Sequence, residues 1–190
     1  MAIEVFGRHG YHGATLAEIA AAAGVTLQTL CDRYATREEC SLAAYRQASA
    51  ELAAAALDAY GAEPDWVDGL HAGLDALLQA AAAEPARARV CFVEVQAAGL
   101  RAMRAREQTI SRLEGLFDRA PSPAGQQRWP LLARSLVGGI DFIIGRRIAA
   151  GRTAGLPELA GDLTYLAAAP FIGGDAAERV RHPGGDELDE

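Results

Sequence analysis

The chain has 190 residues, 51% of them hydrophobic and 23% charged, with a formal net charge of −7 at pH 7. That length holds one sizeable domain, or a small domain joined to a larger one. A membrane-spanning role is excluded, because no apolar run reaches the ~18 residues of a span and the longest, near 136–144, is interrupted by Asp141.

Alanine is abundant and β-branched alternation is scarce, which argues a soluble, mainly helical chain. All 18 basic residues are arginine, a coding bias that carries no chemistry. Residues 1–8 read as a helix fragment anchored by Phe6 and ended at Gly10, with Tyr11 packing beneath the two short helices of 15–34. Thr15 and Glu18 have the spacing of a capping box, hydroxyl to one backbone N–H and carboxylate to the other. Leu16, Ile19, Ala20 and Ala23 then fall at i, i+3, i+4 and i+7, one apolar stripe on about two turns of helix. Gly24 stands where a left-handed residue ends a helix. Val25 plugs the corner, and Thr26 caps a second helix over 27–34. Leu30 and Tyr34 point inward there, leaving Leu27, Gln28, Cys31 and Asp32 outward. Helix, glycine-containing turn, helix is the form of a helix-turn-helix.

Thr36 and Glu39 repeat the capping box and open a long helix over 37–60, with Leu42, Tyr45, Leu52 and Leu57 as its apolar face. Residues 61–64 end it. Asp65 caps a helix over 66–83 with Leu70, Leu74, Leu77 and Leu78 inward, and Glu84-Pro85 opens the next. The run 89–96, R-V-C-F-V-E-V-Q, has strand-like composition, but it lacks a partner strand and alanines flank it, so it reads as helix. Gly99 breaks it. A mixed-charge helix spans 100–119, with Met103, Ile110, Leu113 and Phe117 at helical spacing.

After a loop at 121–125, the helix over 127–150 is apolar nearly all round, and such a helix must be covered on every side. In a chain this small the second cover is another subunit, and Gly138, Gly139 and Gly145 allow backbones to approach closely. Pro157 suits the first turn of the last helix, which carries Leu159, Leu163, Leu166 and Phe171. A homodimer sealed by 127–150 and 157–172 is therefore expected, with Leu136, Ile140, Ile144, Leu163 and Leu166 at the interface. The acidic tail from His182 is expected to be disordered. Cys31, Cys40 and Cys91 show no metal or redox spacing and read as reduced thiols packed as small hydrophobes.

The run G-Y-H-G-A-T-L-A-E-I-A-A-A-A-G-V-T-L-Q-T-L-C-D-R-Y-A-T-R-E-E resembles the DNA-binding segment of the TetR/AcrR family of bacterial repressors. The Gly-Tyr, the capped helix, the Ala-Gly-Val-Thr turn, the Thr-Leu and the aromatic before Thr-Arg-Glu-Glu all fall in register. The stretch L-P-E-L-A-G-D-L-T-Y-L-A-A-A-P-F-I-G is similar to the family's final helix. The resemblance implies an all-α fold of about nine helices: an N-terminal three-helix helix-turn-helix DNA-binding domain (residues 1–46), a C-terminal helical ligand-binding and dimerisation domain (47–181) and the tail (182–190). It implies a transcriptional regulator, a repressor released from a double-stranded DNA operator by a small-molecule effector. No cofactor, metal or membrane is expected. Without a signal peptide before the first helix, the cytoplasm is the expected location.

In the family, the positions of Thr26, Leu27, Gln28, Thr29, Cys31 and Asp32 lie at the major groove or its phosphates, and those of Arg33 and Arg37 hold phosphates. Gln28 has the donor–acceptor pair that reads adenine, Leu27 and Cys31 suit thymine methyls, and Asp32 can accept from cytosine N4. Family members usually carry tyrosine at the position of Cys31 and a basic or aromatic residue at that of Asp32. Their first helix is also about twice as long and is preceded by a basic arm. Residues 1–47 hold four arginines against five acids, a net of −1, whereas phosphate neutralisation supplies most non-specific DNA affinity. These departures keep a second reading open, a dimeric helical ligand-binding or interaction protein that has lost DNA binding.

The resemblance also implies an effector cavity in the larger domain, where polar groups break an apolar lining. Trp66, His71, Phe92, Gln96, Met103, Phe117 and Asp141 are the candidates. There is no Ser/His/Asp spacing, phosphate loop or metal cluster, and His9, His12, His71 and His182 form no constellation, so no enzyme is expected.

Overall fold

The computed structural model describes residues 1–121 and 130–181. Among them the chain is all-α, ten helices without a strand. The expected loop at 122–125, the start of the next helix at 127–129 and the tail at 182–190 lie outside the described residues.

The local signals of the first segment produce helices with the expected ends. Helix α1 spans Ala2–Gly13 and kinks at Gly10, whose φ of 73° is open to glycine at little cost. It resumes for one turn and does not stop there. Phe6 is buried and stacks on Tyr11 with ring centroids 6.3 Å apart. Helix α2, Leu16–Ala23, starts on a complete capping box and ends on left-handed Gly24. Helix α3, Leu27–Arg33, is capped by Thr26, which accepts the Thr29 N–H at 3.1 Å. Leu30 is buried and Tyr34 half-buried, so both anchors face inward.

Helix α4, Arg37–Ala62, is the spine of the molecule. Its cap differs in detail from the expected box, since Glu39 takes the Ala35 N–H at 3.0 Å and not that of Thr36. Leu42, Tyr45 and Leu52 are buried, whereas Leu57 is exposed, because the buried stripe turns through Ala56 and Tyr60. Helix α5, Trp66–Ala83, begins under the Asp65 carboxylate, which accepts the Val67 and Asp68 N–H groups. It lies along α4, where Gly69 and Gly73 let the α4 backbone come close.

Helix α6, Pro85–Phe92, gives way at Val93 to a 3-10 turn, Glu94–Ala97, so the strand-like run is helical. Helix α7, Leu100–Glu114, continues as a 3-10 turn, Gly115–Arg119. Its buried positions are Ala102 and Ala105, while Met103 faces out. Helix α8, Pro130–Ala149, packs on α6 and α7. Two 3-10 turns lead to α9, Ala160–Ile172, and then to α10, Gly174–Arg181. No described helix is long and apolar enough to cross a membrane.

The apolar residues form two cores. The first gathers α1 to α3 and the start of α4, and it also draws in Val90, Val95, Ala98 and Ala102 from α6, α7 and the turn between them. The second gathers α5, α8 and α9 around Tyr60, Leu78, Ile144 and Leu156. Helix α6 feeds both, with Val90 and Cys91 in one and Ala88 in the other.

Candidate functional site

The outward face of α3 is one candidate surface. Leu27 is 47% exposed, Gln28, Thr29, Asp32 and Arg33 are exposed, and Cys31 is half-buried. The polar groups on this face bond to one another: Gln28 Nε2 donates to Asp32 Oδ1 at 2.8 Å, and the Thr26 and Thr29 hydroxyls lie 2.9 Å apart. Arg33 leans over the Tyr34 ring, 5.8 Å from its centroid.

Arg37 is different. Its guanidinium donates to the His12 carbonyl at 3.0 Å and to the Ala14 carbonyl at 3.5 Å, and it lies 4.7 Å over the Tyr11 ring. That places it as a brace between α4 and the end of α1, with its hydrogen-bonding capacity partly spent inside the unit.

The second candidate is a cavity of about 110 Å³ in the larger half of the molecule. Its wall along α4 is formed by Tyr45, Ser49, Leu52, Ala56 and Tyr60; α7 contributes Arg106, Thr109, Ile110 and Leu113, and the turn after it Phe117. Cys91 and Phe92 of α6 and Val137, Ile140, Asp141 and Ile144 of α8 close it. Of the expected pocket residues, Phe92, Phe117 and Asp141 line this cavity. The other four stand elsewhere for identifiable reasons. The Trp66 indole donates to the Leu116 carbonyl at 3.0 Å and meets the Phe117 and Phe171 rings edge-on, closing the far end from outside the lining. His71 Nδ1 is 3.2 Å from the Thr164 hydroxyl, between α5 and α9. Gln96 is exposed and donates back to the Phe92 carbonyl, and Met103 faces solvent.

The charged pair in the cavity wall is Arg106 with Asp141, hydrogen-bonded across α7 and α8 and each about one-fifth exposed. Burial pushes the Asp141 carboxyl above its usual range, and the adjacent Arg106 guanidinium opposes the shift. Other polar groups of the wall are already engaged. Tyr45 donates to Thr109 at 3.3 Å, Thr109 to the Ala105 carbonyl at 3.2 Å, Ser49 to the Arg46 carbonyl at 3.3 Å and Tyr60 to the Leu116 carbonyl at 2.9 Å. Burial pushes the Cys91 thiol up to about 12, so it is neutral near pH 7. Arg106 had a legible signal: with Ile110, Leu113 and Phe117 it stands at i, i+4, i+7 and i+11, an arginine in apolar register.

Helix α8 and helix α9 share the remaining feature. Leu136, Ile140, Ile144 and Leu163, expected at a dimer interface, are buried within this one subunit, where Ile140 and Ile144 also wall the cavity. The apolar side chains that stay exposed are Leu131 at 76%, Phe142 at 65% and Leu166 at 38%. Gly138 and Gly139, on the same helix, face open space.

The first 44 residues match the sequence profile described as bacterial regulatory proteins, tetR family. Residues 1–44 form a TetR-family domain. The whole fold is likewise similar to solved regulators whose sequences have diverged widely. The fatty acid degradation regulator FadR from Bacillus halodurans superposes with a TM-score of 0.76 at 17% identity, over 88% of this chain and 94% of that one. The transcriptional regulator FadR from Bacillus subtilis, solved in complex with stearoyl-CoA, gives 0.74 at 18% identity, over 90% and 95%. A TetR-like transcriptional regulator from Rhodococcus sp. RHA1 gives 0.62 at 24% identity, over 90% and 92%. No curated protein sequence matches the chain significantly. Together these place a TetR-family helix-turn-helix on an all-α body with the regulators' architecture.

Proposed function

We propose that this chain is a ligand-responsive DNA-binding transcriptional regulator, a repressor that a small apolar effector releases from its operator. The observation that carries the reading is that one helix serves both sites. At its start α4 braces the TetR-family domain through Arg37, and from Tyr45 to Tyr60 it forms the longest wall of the cavity. A ligand that binds one conformer of that wall better than another shifts the equilibrium of the attached domain by its difference in affinity. The stearoyl-CoA held by the Bacillus subtilis relative supports an effector with a long apolar part.

In this reading residues 1–46 bind duplex DNA, and Gln28, flanked by Leu27, Thr29, Cys31 and Asp32, faces the bases. Thr26, Arg33 and Arg37 stand at the phosphates. Residues 47–181 hold the effector and the dimer contact. The operator is read by a homodimer, with Leu131, Phe142 and Leu166 as the apolar contacts of α8 and α9 and the glycine pair Gly138 and Gly139 allowing close approach. Selection of duplexes from a randomised pool tests the function. Enrichment of a two-fold-related sequence is expected. A pool that stays random at low salt would favour an interaction protein without DNA binding, the reading to which Asp32 and the acidic balance of the segment lend support.

A further inference from the structure

Helix α1 is seated on the body of the molecule more closely than on the two helices that follow it. A Cβ on Gly7 would fall 2.6 Å from the Cα of Ala86, so the α1 backbone lies directly on the first turn of α6. One turn further on, the Tyr11 N–H is held by Glu94, which is itself paired with Arg89. Ile3, Val5 and Phe6 share a core with Val90, Val95 and Ala98.

Helices α2 and α3 are attached differently. Residues 21–29 are all exposed, and Ile19, Ala20 and Leu30 are the buried residues of the pair. Among the described residues, the side-chain hydrogen bonds of 15–34 close on that segment: Thr15 with Glu18, Thr26 with Thr29, Gln28 with Asp32. Helices of eight and seven residues are too short to persist singly in water. They stand as a pair, joined through left-handed Gly24 and the Val25 N–H, which reaches back to the Ala20 carbonyl.

Both ends of the pair are pinned by the first turn of α4. Arg37 holds the His12 and Ala14 carbonyls at one end, and Glu39 takes the Ala35 N–H at the other. Beside these pins the chain leaves helical geometry, at Ala14 with ψ of 137° and at Tyr34 with ψ of 103°. Few buried apolar contacts and exposed backbone hydrogen bonds mark a region that opens below global unfolding.

We infer that α2 and α3 form a separately opening unit, slung between the Arg37 and Glu39 pins, and that α1 belongs to the body. Resting on the regulator reading for its consequence, release from an operator is a shift of this pair on a fixed α1. The three helices do not swing as one domain.

Native-state hydrogen exchange of the full chain without DNA, read by NMR at rising sub-denaturing urea, tests the unit. The Val25, Leu30 and Tyr34 amides, bonded to the Ala20, Thr26 and Leu30 carbonyls, are expected to share one isotherm. Their protection should lie at least about tenfold below that of Tyr11, with a smaller urea slope. Tyr11 is expected to join the isotherm of Val93, at the end of α6. In Gly7→Ala, whose methyl meets Ala86, Tyr11 should lose protection while Val25, Leu30 and Tyr34 keep theirs, because the pair opens with α1 still seated. Tyr11 sharing the isotherm of the pair, all five amides sharing one, or the three amides of the pair sharing none overturns the inference. So does a Gly7→Ala protein in which Tyr11 is unchanged or the pair loses protection equally. The free protein decides this by itself. A selected duplex that leaves the exchange of Val25, Leu30 and Tyr34 unchanged overturns the regulator reading and leaves the unit standing.

Discussion

The buried carboxylate of Glu94 accepts the backbone N–H of Tyr11 at 2.8 Å, joining segments 83 residues apart. The same side chain pairs with Arg89 Nε at 2.9 Å and sits against Gly10, where a Cβ would come within 3.1 Å of its oxygen. Gly10 therefore does two things. It kinks α1 so that the Tyr11 N–H is free of the helix, and it leaves room for the carboxylate that receives it. Glu94 lies two residues beyond Phe92, which lines the cavity. Glu94 thus ties the segment just beyond that cavity residue to the TetR-family domain. Glu94→Ala should cost about 2 kcal/mol, a charged hydrogen bond plus the half-exposed pair with Arg89, read as a lower urea midpoint at unchanged slope. Glu94→Gln, which keeps an acceptor, should lose less. Equal losses in the two variants would mean that the Tyr11 bond contributes little.

The Arg106–Asp141 pair predicts a pH dependence of stability. Asp141 holds its proton more tightly in the fold than in the unfolded chain, chiefly through burial and against the opposing effect of Arg106. Its contribution is full below the unfolded carboxylate range and is lost as pH rises through the raised folded value. The stability of the wild type relative to Asp141→Asn should therefore fall as pH climbs from the acid side and level off above the raised folded value. A difference that rises with pH would show that Arg106 outweighs burial.

Three thiols offer a probe of the proposed DNA-facing surface. Cys40 and Cys91 are buried, and burial pushes them up to about 11 and about 12, leaving almost no thiolate near pH 7. Cys31 is only half-buried, on α3. One thiol should react with a disulfide reagent in the native protein and three after unfolding. Selected duplex should protect Cys31. Undiminished labelling at saturating DNA would move the contact surface away from this face of α3.

Legibility in the sequence divides along the range of the forces involved. The Thr15–Glu18 box, left-handed Gly24 and the caps at Thr26 and Asp65 act within four residues, and each is found where its spacing puts it. The cavity brings residues of α4 to α9 together across as many as 122 positions of chain, from Tyr45 to Ala167. No local pattern encodes that meeting. Trp66, His71, Gln96 and Met103 are pocket candidates by residue type, and type alone does not locate a wall. Met103 faces away because α7 approaches its neighbours closely through Ala102 and Ala105. Ile140 and Ile144 look like surface on a helix apolar all round. They are interior because α6 and α7 already cover that side, which leaves Leu131 and Phe142 as the uncovered one.

That geometry separates two substitutions on α8. Phe142→Glu removes an apolar contact from a 65% exposed position and should yield a folded monomer by light scattering with native helicity. Ile140→Glu places an unpaired charge in the core and should unfold the chain, at a cost of several kcal/mol. A Phe142→Glu protein that stays dimeric would put the association surface elsewhere.

Gln28 and Arg37 should also part company. Gln28 is exposed and bonded only to Asp32 in the free protein, a link that must open before the amide reaches a base. Gln28→Ala should leave stability within about 0.5 kcal/mol while losing about 1–3 kcal/mol at one position of the selected duplex and relaxing preference there. Arg37 holds the His12 and Ala14 carbonyls and stacks on Tyr11. Its loss should lower stability by about 1–2 kcal/mol, through hydrogen bonds from a charged donor and the ring contact. Because that brace ties α4 to the end of α1 in the proposed DNA-binding unit, Arg37→Ala should also weaken every duplex alike, in anisotropy titrations across several sequences. The reverse pattern, a sequence-selective loss from Arg37→Ala with stability intact, would assign Arg37 to the bases and leave α1 held by other contacts.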